Sequence, residues 1–123
     1  MSGLSPVQRT MRVLRESGNI CAVVEKWNPY GGTHGIRVDL FNIIDILVLD
    51  PERGVRGIQC CGSDYSGHVR KLTEDKAQNS IDWLQTPGTV LEIWGWRKIK
   101  LKRLGKAMRW QPRIQEITME DFK

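Results

Sequence analysis

Asp45 stands among Ile43, Ile44, Ile46, Leu47 and Val48. A carboxylate in such company is costly to bury unless a metal, a hydrogen bond or a cation compensates it. The turn Asp50-Pro51-Glu52-Arg53-Gly54 follows, and then Gln59 and Cys61 lie two residues apart on what reads as a second strand. Side chains alternate along a strand, so Gln59 and Cys61 share a face while Ile58 and Cys60 take the other. If Asp45 faces the same way from the neighbouring strand, three polar groups converge.

Other residues widen the search. Asp39, just upstream, reads either as a second carboxylate or as a loop cap. Glu25-Lys26 ends an apolar stretch and reads either as a site acid or as a surface pair. His68 could contact an anion or cap a helix. Cys21, Cys60 and Cys61 are odd in number, two of them adjacent, and with His34 and His68 they match no zinc-ligand spacing. Small buried thiols are the expectation. The Gly31-Gly32-Thr33-His34-Gly35 stretch lacks the spacing of a nucleotide-binding loop and reads as a mobile loop near the site.

The charge is uneven. The chain is +5 overall, and Arg97, Lys98, Lys100, Lys102, Arg103, Lys106, Arg109 and Arg113 follow one another without an acidic residue, close to Trp94, Trp96 and Trp110. Lysine and arginine neutralise phosphates with counterion release, and an indole can stack on an exposed base. The charges suit a nucleic acid, whereas the tryptophans suit the core of a hairpin. Arg9, Arg12 and Arg15 recur every three residues on the first helix and extend the same surface in this reading.

These residues must be carried by a compact set of elements. Ser5-Pro6 starts a helix over about 6–17, with Val7, Met11 and Leu14 on one face. Strands are expected over 20–27, 43–49, 55–61, 89–96 and near 114–117, and a second helix over 67–84, ended by Pro87-Gly88. This order predicts a single α/β domain over 1–123, three-layered α/β/α around a mixed sheet. No apolar run approaches the length of a membrane span. Met1-Ser2-Gly3-Leu4-Ser5-Pro6 has no secretory pattern, so a cytoplasmic location is expected.

A strand bearing Asp, a short hairpin and a strand bearing acid-x-Lys, between helices, resembles the plan of the PD-(D/E)XK nuclease superfamily. Asp45 matches the first acid, Gln59 falls at the second-acid position, and Cys61 at the lysine position. Gln59-Cys60 is similar to the Gln-Cys-Lys signature of Mrr-like restriction endonucleases. The wording SPVQRTMRVLRESGNICAVVEKWNP, RVDLFNIIDILVLD, GIQCCGSDYSGHVRKL and EIWGWRK looks like a group of small phage-encoded proteins assigned to this fold. The resemblance implies a restriction-endonuclease-like fold and a Mg²⁺ (or Mn²⁺) ion on Asp45, Gln59 and Asp39. It implies phosphodiester hydrolysis in DNA, of branched or junction DNA if the small resolvases are the guide, and it allows a homodimer. A thiol has neither the charge nor the reach of lysine. The resemblance therefore sends the missing lysine to Lys71, less well to Arg70, or to Lys98. Catalytic candidates are Asp45, Gln59, Cys61 and Lys71; DNA-contacting candidates are Arg9, Arg12, Arg97, Lys98, Lys100, Lys102, Arg103 and Arg109. The alternatives are a DNA-binding protein that keeps the fold without hydrolysis, and an interaction protein whose basic face meets an acidic one.

Overall fold

The structure, a computed structural model, describes residues 3–123. Met1 and Ser2, the start of the segment read above for a secretory pattern, lie outside the described residues. Helix α1 spans Pro6–Glu16. Ser5 Oγ accepts from Gln8 N (3.2 Å), and Gln8 Oε1 accepts from Ser5 N (2.8 Å). This reciprocal cap satisfies donors that the first turn would otherwise orphan.

Strands β1 (Ile20–Val23), β4 (Ile46–Asp50), β5 (Gly54–Cys61), β6 (Thr89–Lys100) and β7 (Met108–Ile117) form one sheet in the order β1-β4-β5-β6-β7. Only the β5–β6 pair is parallel. The antiparallel pair β2 (Lys26–Asn28) and β3 (Ile36–Val38) stands apart. The stretch 20–27 is therefore two strands in two sheets. The last rung to the main sheet is Val24 N to Asp45 O (2.8 Å), after which the chain turns away at Glu25.

Helices cover both faces of the sheet. On one, Met11 and Leu14 of α1 pack on Ile46, Val48, Ile58, Trp94 and Trp96. Thr10, fully buried, ties the helix down: its hydroxyl donates to Pro6 O (2.8 Å) and accepts from Trp96 Nε1 (2.8 Å). On the other face, Leu72, Val69, Trp83 and Leu84 pack on Cys61, Leu91, Ile93 and Ile117. The expected second helix is three pieces: α2 (Tyr65–Arg70), a π-helical turn (Lys71–Asp75) and α3 (Ala77–Gln85). Lys76 N donates to Lys71 O (2.7 Å), five residues back. Ser80 Oγ donates to Leu72 O (2.7 Å) where the ladder is interrupted. Such π-bulges are common at functional sites. Here the bulge turns Leu72 into the core and leaves Lys71 partly exposed beside it.

The last two strands run further than their apolar alternation suggests. Strand β5 pairs with β6 only as far as Gly95, whereas β6 and β7 stay in register out to Lys100 and Met108. Residues 97–111 therefore form a two-stranded arm beyond the sheet, and cross-strand hydrogen bonds sustain it where no core does. Among the described residues no helix is long and apolar enough to cross a membrane.

The β4–β5 turn sets the site's register. Asp50 Oδ1 accepts from the amides of Glu52 (2.9 Å) and Arg53 (3.2 Å), and Gly54 closes the turn at φ 102°, packed on the Gly88 carbonyl. Gly54→Ala forces a side chain into a left-handed backbone region and into that carbonyl. It is expected to cost about 1–3 kcal/mol from the backbone alone, read as a lower urea midpoint at unchanged slope.

Candidate active site

Gln59 is fully buried on β5, and its side chain is the hub of the site. Its Nε2 lies 3.0 Å from Ile43 O, 3.1 Å from Asp39 Oδ2 and 3.2 Å from Asp45 Oδ2. Its Oε1 lies 3.0 Å from Lys71 Nζ and 3.1 Å from His68 Nδ1. The Ile43 carbonyl can only accept and the Lys71 ammonium can only donate, so the amide orientation is fixed from both ends. The nitrogen faces the carboxylates. This corrects the expectation that Gln59 offers its oxygen to a metal.

A different residue supplies the third carboxylate oxygen. Glu25, Asp39 and Asp45 each have a ligand atom within 4.8 Å of the others'. Antiparallel pairing of Val23 with Ile46 puts Glu25, just past the end of β1, beside Asp45 at the start of β4. Asp39 follows β3 and is held by Lys71 Nζ at 2.7 Å. Between Asp39 and Asp45 the chain makes a tight turn in which Phe41 (φ 53°) and Asn42 (φ 62°) both adopt left-handed conformations. Asn79 Nδ2 donates to Phe41 O (2.9 Å), and the Phe41 ring leans on Trp83, holding this strained turn in place.

Asp45 is 5% exposed, and its Oδ2 accepts from Cys60 N at 2.8 Å. Burial, reinforced by Asp39, pushes its carboxyl up to about 8, so it holds a proton at neutral pH. Burial also pushes Asp39 upward, but hydrogen bonds from Asp45, Lys71 and Gln59 outweigh it and leave Asp39 below its ordinary value. Glu25 pairs with Arg37 Nη1 at 2.8 Å. Three carboxyls thus face two cations, and the proton on Asp45 removes the surplus negative charge. Burial, followed by the Lys71 charge, lowers His68, leaving a neutral ring whose Nδ1–H points at Gln59.

These groups line an open pocket of about 660 Å³ at one end of the sheet, roofed by the first turn of α1. Cys61 does not line it. It is buried beside Tyr65 and Gly95, and burial pushes its thiol up to about 11, so no thiolate is on offer. Nor do His34 and its glycine-rich neighbours line the pocket; they lie in the β2–β3 loop. Of the proposed lysines, Lys71 reaches the carboxylates, while Lys98 lies over Trp110 on the arm, 5.3 Å from the ring centroid. Sequence reading gave Glu25 too little weight and missed Arg37. Both depend on strand pairing, and only the break in apolar alternation at Glu25-Lys26 signalled the first.

The basic candidates divide. Arg97, Lys98, Lys100, Lys102, Arg103 and Arg109 are exposed on the arm. Arg9 joins them, its guanidinium 4.0 Å from the Trp110 ring centroid. Arg12 does not, because steps of three residues fall about 60° short of a full helical turn. It pairs with Glu16 at 3.2 Å and lines the flank of α1 nearer β1. Trp94 and Trp96 are buried, and Trp110 is exposed. In comparisons with family models, curated proteins and solved structures, nothing matches this chain.

The charge arrangement has a thermodynamic signature. Asp45 ionises at about 8 when folded without a divalent cation and near its ordinary 3.8 when unfolded, so only the folded chain holds this proton between those values. Stability from this group is complete below the lower value and is lost as pH rises to the upper one. Asp45→Asn keeps an acceptor oxygen and cannot ionise. It should flatten the decline in melting temperature seen in EDTA, and equal slopes in both proteins would remove Asp45 from the titration.

Proposed function

We propose that the chain is a metal-dependent DNA endonuclease of the PD-(D/E)XK type with a rearranged site, in which Lys71 stands in for the lysine absent at Cys61. The observation that carries this reading is the convergence of Glu25, Asp39 and Asp45 beside one lysine in an open pocket. Three carboxylate oxygens suit a hard cation such as Mg²⁺ or Mn²⁺, and the Lys71 ammonium lies 2.7 Å from Asp39 beside them. An ion held by Asp39, Asp45 and Glu25 would neutralise charge building on the scissile phosphate.

The rest falls to the chain's own groups. Gln59 holds Asp39 and Asp45 in fixed orientation through its amide hydrogens. Two of the three Lys71 ammonium hydrogens go to Asp39 and Gln59, leaving one for a phosphate oxygen or an attacking water. Neutral His68, with its Nδ1 donating, has an unprotonated Nε2 that can take a proton from water. The arm supplies the grip: a two-stranded ribbon fits the major groove, and seven basic residues over 97–109 meet the phosphates. In this reading the sheet with helices on both faces is the restriction-endonuclease-like core.

One observation favours a DNA-binding protein without hydrolysis. With Asp45 protonated, Asp39 on Lys71 and Glu25 on Arg37, the cluster is neutral without any ion.

Cleavage of labelled duplex, single-stranded and four-way-junction DNA, with Mg²⁺, Mn²⁺ or EDTA, separates the two. The nuclease reading expects metal-dependent cutting that Asp45→Asn abolishes and Lys71→Ala slows roughly 100-fold or more, with DNA binding intact. Binding by all three proteins without cutting would leave the second reading. Replacing Lys100, Lys102 and Arg103 by glutamine should lower the slope of log affinity against log salt by about 0.9 for each duplex phosphate that is no longer neutralised; an unchanged slope would take the arm tip out of the interface.

A further inference from the structure

Pro6 lines two hollows. One is the carboxylate pocket; the other is an apolar slot of about 430 Å³ between the start of α1 and the root of the arm. Trp96 lines it from the core, its indole N–H held by Thr10. Trp110 lines it from the arm and stays 41% exposed. Arg9 lies over the Trp110 ring, and Lys98 is also within cation–π distance. Arg97 is exposed at the rim, and no acidic residue lines the slot. The carboxylate chemistry uses none of these groups.

We propose that the slot binds an unpaired DNA base, which takes over the Trp110 face on which the Arg9 guanidinium now rests, while Arg9, Arg97 and Lys98 turn to the adjoining phosphates. The charge pattern selects this occupant. The wall is flat, aromatic and poor in hydrogen-bonding groups, and so suits any base, while the rim is wholly cationic. A ligand with a planar apolar body and an anionic flank matches both, as in single-strand binding by stacking platforms. The slot is also close to the carboxylates: Gly62, on its lining, follows Gln59 by three residues, about 10 Å of extended strand. The stacked base therefore belongs to a nucleotide close to the phosphate in the pocket. Resting on the nuclease reading, this names the substrate class as duplex DNA with an unpaired nucleotide beside the cut, such as a flap, an overhang or a junction, in preference to fully paired DNA.

The test is binding in EDTA, where cleavage plays no part. Fluorescence anisotropy would compare a blunt duplex, the same duplex with a single-stranded overhang, and that overhang made abasic. The base-bearing overhang is expected to bind about tenfold more tightly than either of the others, the size of one base–aromatic stack. Trp110→Ala should erase the difference, and an unchanged far-ultraviolet circular dichroism spectrum reports that the variant folds. Trp110→Phe should keep most of the preference, and Arg9→Gln should lose part of it. Equal affinity for base-bearing and abasic overhangs would overturn the proposal, as would a preference that survives Trp110→Ala. A preference that is present in a protein that never cuts would leave the slot assigned and sink only the nuclease reading.

Discussion

A fully buried amide must place every hydrogen and lone pair it has, and Gln59 does so with groups from four separate parts of the chain. Ile43 and Asp45 come from the turn and bend before β4, Asp39 from the end of β3, His68 from α2, and Lys71 from the π-turn. Removing His68 or Lys71 leaves one Oε1 lone pair without a donor, whereas Nε2 has three acceptors for two hydrogens and can spare one. The amide therefore fixes the distances between the carboxyls, His68 and Lys71. A carboxylate at this strand position would be the fourth in the cluster and would add negative charge where one proton is already needed for balance.

The same sheet contains a second buried charge cluster built on the opposite principle. Glu92, 3% exposed, takes Arg56 Nη2 at 2.7 Å and Arg53 Nη1 at 2.7 Å, and Arg53 reaches on to Glu116 at 3.0 Å. Burial pushes Glu92 upward, but the two guanidinium groups outweigh it and hold it below its ordinary value. Cations surround the anion there, although Arg56 Nε is left buried without a hydrogen-bond partner. In the pocket the carboxyls outnumber the cations, and one of them is kept neutral by its surroundings. The two clusters thus reach neutrality by different means, ion pairing at Glu92 and a retained proton at Asp45.

Local signals foretold much of this. Ser5-Pro6 announced the first helix, which ends at Glu16, within a residue of the expected limit. The cost of burying Asp45 was visible from its neighbours alone. What stayed hidden depended on pairing between distant segments or on helix register. Nothing local to Glu25 shows that it meets Asp45, because that contact is made by the β1–β4 pairing. Nothing in Val69, Leu72, Ile81 and Leu84 reveals a π-turn, because apolar spacing alone tolerates one extra residue. Cys61 went astray for a different reason: strand alternation gave its face correctly, but that face runs from the pocket at Gln59 to the packed side of Tyr65 within two residues.

Strand β6 passes without a break from Leu91 in the core to Lys100 at the far end of the arm. Strand register therefore fixes how far along β6 the arm's residues lie from the pocket. The tip stands from the pocket at an offset set by strand register, much as a ruler fixes two marks. Removing one residue pair from the arm would shorten that offset by about 3.3 Å and turn the tip's side chains to the opposite face, while leaving the pocket untouched.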